Sequence, residues 1–276
     1  MDWLVYIFYG FIAGFGELVP VSAGAHDYFL DFMTRFDPYQ PMLRLCVHVG
    51  ALTALLVLSR HRVAHVYREM HIAAQPARRR KRQPDLLAVL DGRVVWAALL
   101  PAALGILLSV FVRKAGQSLP ITVLLLALSG LLIYLPHYIP SGNRDSRHLS
   151  RMEAIVFGIC AGLSAFPGIS RMGGVLSVGG LGGCSRSYML DIVYLLLIPL
   201  FAIMAAMDLL ALVLTGFAAV TAIVLFQCLV AGIAAFCGAS LAIAVMRFLS
   251  VNTGYTAFAY YNWGLAIFGF ILYLMI

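Results

Sequence analysis

Two polar segments carry residue types that could bind and react with an anion, although long apolar sequence surrounds both of them. The ionisable and hydroxyl side chains of these segments, residues 14–26 and 167–174, are Glu17, Ser22, His26, Ser170 and Arg171. Both segments also contain glycine and proline, which interrupt helices and leave backbone N–H groups free. Free N–H groups beside an arginine and serines suit a phosphate, because they supply positive charge and convergent donors.

The second polar segment supplies the residues that we expect to hold the phosphate. Arg171 keeps its charge at physiological pH, and its planar fork can donate two hydrogen bonds to one phosphate group. Ser170 could donate its hydroxyl to the same ligand, and Gly168 and Gly173 would let the backbone approach it closely. The alternatives are a structural ion pair for the arginine and close helix packing for the glycines.

The first polar segment supplies the candidate catalytic residues Glu17, Ser22 and His26. Glu17 could act as a general base, bind a divalent metal ion, or form an ion pair with Arg171. His26 could protonate the leaving phosphate or attack phosphorus, and Ser22 could be the nucleophile. Structural roles stay open, because a serine can cap a helix and a histidine can be a hydrogen-bonded filler.

Three further residues, His48, Asp191 and Arg186, are candidate accessory residues of the site. Ionisable side chains at bilayer depth normally mark a function. His48 or Asp191 could pair with Arg171 or Arg186, or could carry protons. Ordinary buried pairing explains these residues equally well, and Asp191 is a second candidate partner for Arg171.

The composition identifies an integral membrane protein. Hydrophobic residues make up 62% of the 276 residues and charged residues only 11%, whereas a soluble domain has about 25% charged residues. The apolar segments are mostly long enough for helices and show no strand-like alternation. We therefore predict an all-α polytopic bundle rather than a barrel.

The apolar segments also predict two re-entrant hairpins. These segments are 3–22, 44–59, 94–112, 120–136, 153–166, 174–184, 188–214, 218–246 and 256–276. Several can span roughly 30 Å of hydrocarbon, but 153–166 and 174–184 are too short and flank the second polar segment. They are predicted to be the two arms of one hairpin. Glu17 and Pro20 interrupt the first segment, which predicts a similar hairpin there.

The two polar segments also suggest an internal repeat within a single transmembrane domain, residues 1–276. Residues 14–20 can be aligned with residues 161–167, and both stretches end in proline. The approximate pseudo-repeats are 1–137 and 153–276. Interrupted segments in corresponding positions of two halves indicate a site where the repeats meet.

The positive charge of the chain is concentrated in one place. The net charge is +7, and nine of the nineteen lysines and arginines fall between Arg60 and Arg93. The positive-inside rule predicts that this basic loop, 60–93, is cytoplasmic, where it could contact anionic lipid. We expect residues 138–152 on the same side and residues 113–118 on the opposite side. No fold or aromatic pattern supports nucleic-acid binding.

The cysteines and the N-terminus add two expectations. The five cysteines, Cys46, Cys160, Cys184, Cys228 and Cys237, lie in apolar sequence and form no CxxC pair, so we expect buried free thiols. The N-terminus has no basic region and no small-residue cleavage site, so we expect no removable signal peptide.

The two motifs resemble those of bacterial undecaprenyl-pyrophosphate phosphatases of the BacA type. The first motif of that family reads E-x-x-x-E-x-x-P-x-S-S-x-G-H, and the second reads P-G-x-S-R-S-G. The matching residues are Glu17, Pro20, Ser22, His26, Pro167, Gly168, Ser170, Arg171 and Gly173. Residues 49–51, Ser185 with Arg186, and the stretch ending at Pro199 are similar too, in the same order along the chain.

This resemblance implies a fold and an activity. The fold would be a helical membrane protein of inverted repeats with two re-entrant hairpins. The activity would remove one phosphate from a polyprenyl pyrophosphate at the outer face of the bacterial inner membrane, which recycles the lipid carrier for peptidoglycan and other envelope synthesis. A divalent cation, Mg²⁺ or Ca²⁺, would bind at Glu17, with no organic cofactor. The expected partners are the lipid substrate, membrane lipids and a second copy of the chain.

The sequence departs from the family pattern at several positions. Ala13 stands where the family has its first acidic residue, and Ala23 stands where it has its second serine. The remaining departures are Ala25, Met172 and His48. Loss of an acid and a serine leaves three functions open. The first is a phosphatase whose altered site uses Ser22, His26 or an activated water, and the second is a non-hydrolytic translocase of a polyprenyl phosphate or a related lipid. The third is a binding or regulatory membrane protein without turnover.

Overall fold

The computed structural model describes residues 3–34, 36–114, 118–140, 142–217 and 220–275, and these residues form helices without any β-strand. This confirms the all-α prediction. The α-helices in chain order are α1 (Trp3–Glu17), α2 (Ala23–Met33), α3 (Pro41–Leu58), α4 (Arg60–Ala74), α5 (Leu86–Lys114), α6 (Leu119–Tyr134), α7 (Arg151–Gly162), α8 (Arg171–Leu181), α9 (Arg186–Thr215), α10 (Ala222–Asn252) and α11 (Thr256–Leu274).

Six helices in the described part of the chain are long and apolar enough to cross a membrane. They are α3, α5, α6 with the turn that follows it, α9, α10 and α11. Their outward faces carry many exposed apolar side chains, such as Trp96, Leu124 and Phe270. The chain is therefore a multi-pass membrane protein, as its composition predicts.

The helices α7 and α8 form the hairpin that the short apolar segments predict. They contain 12 and 11 residues, which is too short to cross a membrane, and residues 163–170 join them. In the first hairpin, α1 ends at Glu17 and α2 begins after the cap residue Ser22. The polar segments therefore form the tips of two short hairpins.

The two hairpins enter the bundle from opposite ends. The helix α1 runs parallel to α10, since Gly10 packs on Ala231 and Gly14 packs on Ala235. The helix α7 runs parallel to α5, since Gly158 packs on Ala98 and Gly162 packs on Gly105. Because α5 and α10 run in opposite directions through the bundle, α1 and α7 do so too. Small residues at these contacts allow the close backbone approach.

One end of the bundle carries the basic sequence, and we call it the basic end. It is formed by α4, residues 75–85 and residues 142–150. Ser146 Oγ donates to Leu87 O at 3.5 Å, so both predicted loops lie at this end. The helix α5 has 29 residues and is roughly 40 Å long, which carries its C-terminus to the other end. Residues 115–117 and the side chains of Arg113 and Lys114 lie outside the described residues.

A buried carboxylate organises the basic end. Glu69 accepts hydrogen bonds from Arg82 and, at 3.0 Å, from the backbone N–H of Asp85. These donors lower the pKa of Glu69 to about 2. The carboxylate therefore stays charged in neutral solution and fixes residues 82–85 against α4.

The cysteines differ in part from the prediction. All five are free thiols, but only Cys184 and Cys228 are buried. Cys46 and Cys160 are half-buried, and Cys237 is exposed. Cys237 lies on the outward face of α10, which also exposes Ile233 and Leu241. An apolar sequence context did not predict burial there, because the outward face of a membrane helix is itself apolar.

Candidate functional site

The hairpin tips contact each other through Ser22 and Gly168. The hydroxyl oxygen of Ser22 accepts the N–H of Ala25 at 3.2 Å, which caps α2, and the N–H of Gly168 at 2.9 Å. Gly168 has φ +106, and a Cβ there would lie 2.6 Å from the backbone oxygen of Thr122. Glycine is therefore required for the second tip to reach the first.

An ion pair forms directly beside this contact. Arg171 is the first residue of α8, and its Nη1 donates to Glu17 Oε2 at 2.7 Å. Its Nε donates to Ser164 Oγ at 3.0 Å. Both charged side chains are only 14% exposed. The Glu17–Arg171 ion pair that the sequence analysis considered as a structural alternative is therefore formed. Both side chains also line a cavity.

A second group of charges comes from α3 and α9. His48 Nδ1 lies 2.5 Å from Asp208 Oδ2, and His48 Nε2 lies 3.9 Å from Glu17 Oε1. Arg44 Nε lies 3.3 Å from Asp208 Oδ1. These contacts join the two ion pairs into one network. His48, a candidate accessory residue, thus belongs to the site.

A further carboxylate extends the site along α2. Tyr9 donates its hydroxyl to Asp27 Oδ1 at 3.0 Å. Asp27 lines the same cavities as Glu17 and Arg44. The site therefore holds three carboxylates together with two arginines and a histidine.

Two adjoining cavities meet at these charges. The larger has a volume of about 430 Å³ and is mostly apolar. Its lining residues are Val5, Phe8, Tyr9, Ile12, Ala13, Phe15, Gly16, Glu17, Val19, Val21, Ala23, His26, Asp27, Leu30, Arg44, Val47, His48, Phe258 and Tyr261. The smaller, about 80 Å³, is polar and is lined by Ser164, Arg171 and Asp208 among others. Glu17, Asp27 and Arg44 line both cavities, so an apolar chain with an anionic head could occupy them together.

The predicted catalytic residues Ser22 and His26 have different surroundings. Ser22 is buried and is not among the described residues that line either cavity. His26 lines the larger cavity, where its Nδ1 donates to Ser22 O at 2.7 Å. Its Nε2 lies 2.6 Å from the hydroxyl of Tyr261. The catalytic roles of both residues stay predictions.

The residues predicted to bind phosphate all lie at the tip of the second hairpin, but they differ in how exposed their side chains are. Ser170 is fully buried and its hydroxyl oxygen accepts the N–H of Gly173 at 3.0 Å, which caps α8. A Cβ at Gly173 would lie 2.7 Å from Ile133 Cδ1. These contacts, like that of Gly168 with Ser22, shape the tip. Direct phosphate contact is best supported by geometry for Arg171, which lines the polar cavity.

Two candidate accessory residues lie elsewhere. Arg186 lines a separate cavity of about 40 Å³ next to Gly254, near the start of α9. Asp191 lies one turn further along α9, where the nearby positive charges are Arg62 and Arg247. Both positions belong to the basic end, because α9 begins there. The structure does not bring either residue to Glu17.

Four residues of the site, Arg44, Asp208, Asp27 and Ser164, were missed by the sequence reasoning. Asp208 had a signal, since it is one of the two carboxylates within the apolar segment 188–214. Arg44 had a weaker one at the start of such a segment. Their pairing joins residues more than 160 positions apart, which spacing alone does not predict.

The fit of a metal ion depends on the ligands that a substrate would bring. In the part of the chain that the structure describes, no three His, Cys, Asp or Glu side chains form a metal-binding group. Mg²⁺, however, is often held by one or two carboxylates together with substrate phosphates and water. Glu17 and Asp27 line one cavity and fit that arrangement.

The departures from the motif pattern also have defined positions. Ala13 and Ala23 both line the apolar cavity, so their methyl groups extend its apolar wall. Ala25 and Met172 are buried in the packed interior. The chain therefore has an apolar surface at the two positions where an acid and a hydroxyl are expected.

Comparison with known proteins identifies relatives over most of the chain. The family model described as "Bacitracin resistance protein BacA" matches residues 6–268. "Undecaprenyl-diphosphatase 2" of Stutzerimonas stutzeri is 30% identical over 221 residues, 77% of this chain and 78% of the relative. "Undecaprenyl-diphosphatase" of Rubrobacter xylanophilus is 27% identical over 277 residues, 96% of each chain. The protein of the same name from Idiomarina loihiensis is 26% identical over 211 residues, 76% of this chain and 77% of the relative.

Proposed function

Because the chain belongs to the bacitracin resistance protein BacA family, we propose that it hydrolyses undecaprenyl pyrophosphate to the monophosphate and inorganic phosphate. Three of its relatives are named undecaprenyl-diphosphatase. The observation that carries the proposal is the Glu17–Arg171 pair beside an apolar cavity of about 430 Å³. A polyprenyl pyrophosphate combines the same two properties, since a long apolar chain ends in a compact anion.

In this proposal, the apolar cavity binds the apolar part of the substrate and the polar cavity binds its anionic part. The larger takes the prenyl units next to the pyrophosphate, where each buried CH₂ group contributes about 0.8 kcal/mol. The smaller takes the phosphates, which accept hydrogen bonds from Arg171 and Arg44. Arg171 exchanges part of its contact with Glu17 for phosphate oxygens. Catalysis of phosphoryl transfer then depends mainly on positioning and charge stabilisation.

A divalent cation completes the charge balance in this proposal. The pyrophosphate adds negative charge to a site that already holds Glu17, Asp27 and Asp208. Mg²⁺ or Ca²⁺ bound by Glu17 and Asp27 would offset that charge at the phosphates. We therefore expect hydrolysis to depend on a divalent metal ion.

The site lies nearer to the end of the bundle opposite the basic end. His48 follows the start of α3 by seven residues, and Asp208 precedes the end of α9 by seven residues, which is roughly 10 Å in each case. A cytoplasmic basic end would place this opening at the outer face of the bacterial inner membrane. There the reaction would recycle the lipid carrier for envelope synthesis. A homodimer stays a prediction from the sequence.

The second candidate function is non-hydrolytic translocation of a polyprenyl phosphate. It is favoured by one observation, the pair of hairpins that enter from opposite ends and meet inside the bundle. Interrupted segments at a repeat interface are common in transporters. The names of the relatives describe hydrolysis, so we favour the phosphatase.

Release of inorganic phosphate tests the choice. The purified protein in detergent is given undecaprenyl pyrophosphate with Mg²⁺, with Ca²⁺, or with a chelator alone. We expect multiple turnovers with at least one metal ion. With the chelator alone, the rate should fall on the order of 10-fold or more. A protein that releases no phosphate under any condition would exclude hydrolysis and leave translocation.

A further inference from the structure

We infer that His48 is the general base that activates a water molecule in this reaction, with Asp208 as its positioning residue. The inference deepens the proposed function and rests on it. His48 lines the apolar cavity beside Glu17. Its Nδ1 lies 2.5 Å from Asp208 Oδ2, and its Nε2 lies 3.9 Å from Glu17 Oε1. The ring thus lies between Asp208, which lines the polar cavity, and Glu17, which lines both cavities.

Asp208 determines which ring nitrogen of His48 carries the proton. A carboxylate only accepts hydrogen bonds, so the neutral ring donates from Nδ1 and keeps a lone pair on Nε2. Arg44 lies 3.3 Å from the other oxygen of Asp208, which keeps this carboxylate paired and oriented. Catalytic histidines are commonly oriented in this way: a carboxylate accepts a hydrogen bond from one ring nitrogen, and the other ring nitrogen acts as the base.

His26 is less suited to the same role, because both of its ring nitrogens are engaged. Its Nδ1 donates to the backbone oxygen of Ser22 at 2.7 Å. Its Nε2 lies 2.6 Å from the hydroxyl of Tyr261, with which the ring also stacks. In the neutral ring, Nε2 therefore accepts from this hydroxyl. Proton transfer at His26 would first have to break that contact. For Nε2 of His48, the contact within the described part of the chain is Glu17 Oε1 at 3.9 Å, which is beyond hydrogen-bond distance.

The lining of the apolar cavity also favours water over a protein hydroxyl as the group that His48 activates. The serines that line the polar cavity are Ser109 and Ser164. The hydroxyl of Ser164 is already engaged, since it donates to Ala161 O at 2.7 Å and accepts Arg171 Nε at 3.0 Å. No serine or threonine is present among the described residues that line the apolar cavity, and Ala23 contributes a methyl group there. Ser22 is 1% exposed, and its oxygen accepts two backbone N–H groups at the hairpin contact. A hydroxyl in that position holds the two tips together and does not face the cavity.

The step balances without any further reactant. Nε2 of His48 removes a proton from water as the water oxygen forms a bond to the terminal phosphorus. The bond between that phosphorus and the bridging oxygen breaks, and the bridging oxygen leaves as part of the polyprenyl monophosphate. The proton on His48 then passes to the released phosphate, which restores the base. Arg171 stabilises the charge on the oxygens of the transferred group.

Variants of His48 and Asp208 test the inference, with His137→Gln as the matched control. His137 lies on the separate cavity at the start of α9, outside the proposed site. We expect His48→Gln to lower kcat on the order of 100-fold or more with KM within about 3-fold, because general bases contribute that much to rate. Asp208→Asn should also lower kcat more than KM, and His137→Gln should leave both unchanged.

A second measurement on the unaltered protein does not depend on the folding of any variant. Radiolabelled substrate is quenched in acid during turnover, and the protein is examined for covalent phosphate. We expect none, since water attacks directly. A phosphorylated protein, or a folded His48→Gln variant with kcat within about 3-fold of the parent, overturns the inference while hydrolysis itself stands. A parent that releases no phosphate overturns the proposed function instead.

Discussion

At the scale of single residues, the charged groups around the cavity are paired before any substrate enters. Glu17 contacts Arg171, and Asp208 contacts both Arg44 and His48. Charges buried in a protein are stable only when they are paired. An entering pyrophosphate must therefore replace existing partners. We expect that its binding to Arg171 releases Glu17 for a metal ion or a proton.

Asp27 provides a prediction about the metal. Asp27→Asn should raise the Mg²⁺ concentration needed for half-maximal hydrolysis on the order of 10-fold, because one of the two carboxylates proposed to bind the ion becomes neutral. Asp31→Asn is the matched control, since Asp31 lies one turn away on α2 and is exposed. Titration of activity with Mg²⁺ makes the comparison. Equal Mg²⁺ requirements for the two variants would remove Asp27 from the metal site.

The residues of the site could be predicted from sequence only when the side chain belongs to a recognisable polar motif within apolar sequence. Glu17 and Arg171 satisfy this condition, and the structure brings them together. His48 was predicted as an isolated polar residue, but its partner Asp208 is 160 positions away and comes from another helix. Asp191 has the same local signal as Asp208. Only packing determines that one of these two carboxylates lies in the site and the other near the basic end.

At the scale of helices and hairpins, the two tips act as one unit. The hydroxyl of Ser22 connects α2 to the turn before α8, and this contact fixes the distance between Glu17 and Arg171. The short apolar segments predict this hairpin at 153–166 and 174–184, and the structure has α7 and α8 there. The depth at which the tips meet was not predictable. It depends on close glycine contacts between helices that are distant in sequence.

Gly168 provides a prediction about this unit. Gly168→Ala should destabilise the fold by about 2–4 kcal/mol, because a Cβ would meet Thr122 and Leu125 at 2.6 Å and φ is +106. Gly216→Ala is the matched control, since its φ is +80 and a Cβ would have open space. The Gly216→Ala variant should lose less, about 1–3 kcal/mol, because only the backbone conformation with φ +80 and ψ +159 disfavours alanine there. Thermal unfolding in detergent compares the two, and equal losses would mean that the tip does not constrain the fold.

At the scale of the whole molecule, the basic end and the candidate functional site lie toward opposite ends of the bundle. The basic end holds α4 and its loop, where Glu69 binds Arg82. The network of Glu17, His48 and Asp208 lies closer to the other end. The apolar exterior and six long helices follow from composition. Composition does not predict which residues face lipid and which face the interior, because both surfaces are apolar. Cys237 illustrates this, since it lies in apolar sequence and is exposed.

The orientation in the membrane can be tested with single cysteines. In a variant without the five native cysteines, Arg80→Cys should react with a membrane-impermeant thiol reagent only after the cells are opened. Ser118→Cys should react in intact cells, because it begins α6 at the other end of the bundle. The positive-inside rule is the physical reason for this orientation. Reaction of position 80 in intact cells would reverse the proposed direction of the site.

The most direct measurement compares two arginines of the second hairpin. Arg171 begins α8 at the site, and Arg151 begins α7 at the basic end, where it is exposed. Phosphate release from undecaprenyl pyrophosphate should fall on the order of 100-fold or more in Arg171→Ala, while Arg151→Ala keeps the rate of the parent. Both variants should elute from size-exclusion chromatography as the parent does. An Arg171→Ala protein that hydrolyses the lipid as fast as the parent would contradict the assignment of the hairpin tips as the reaction site.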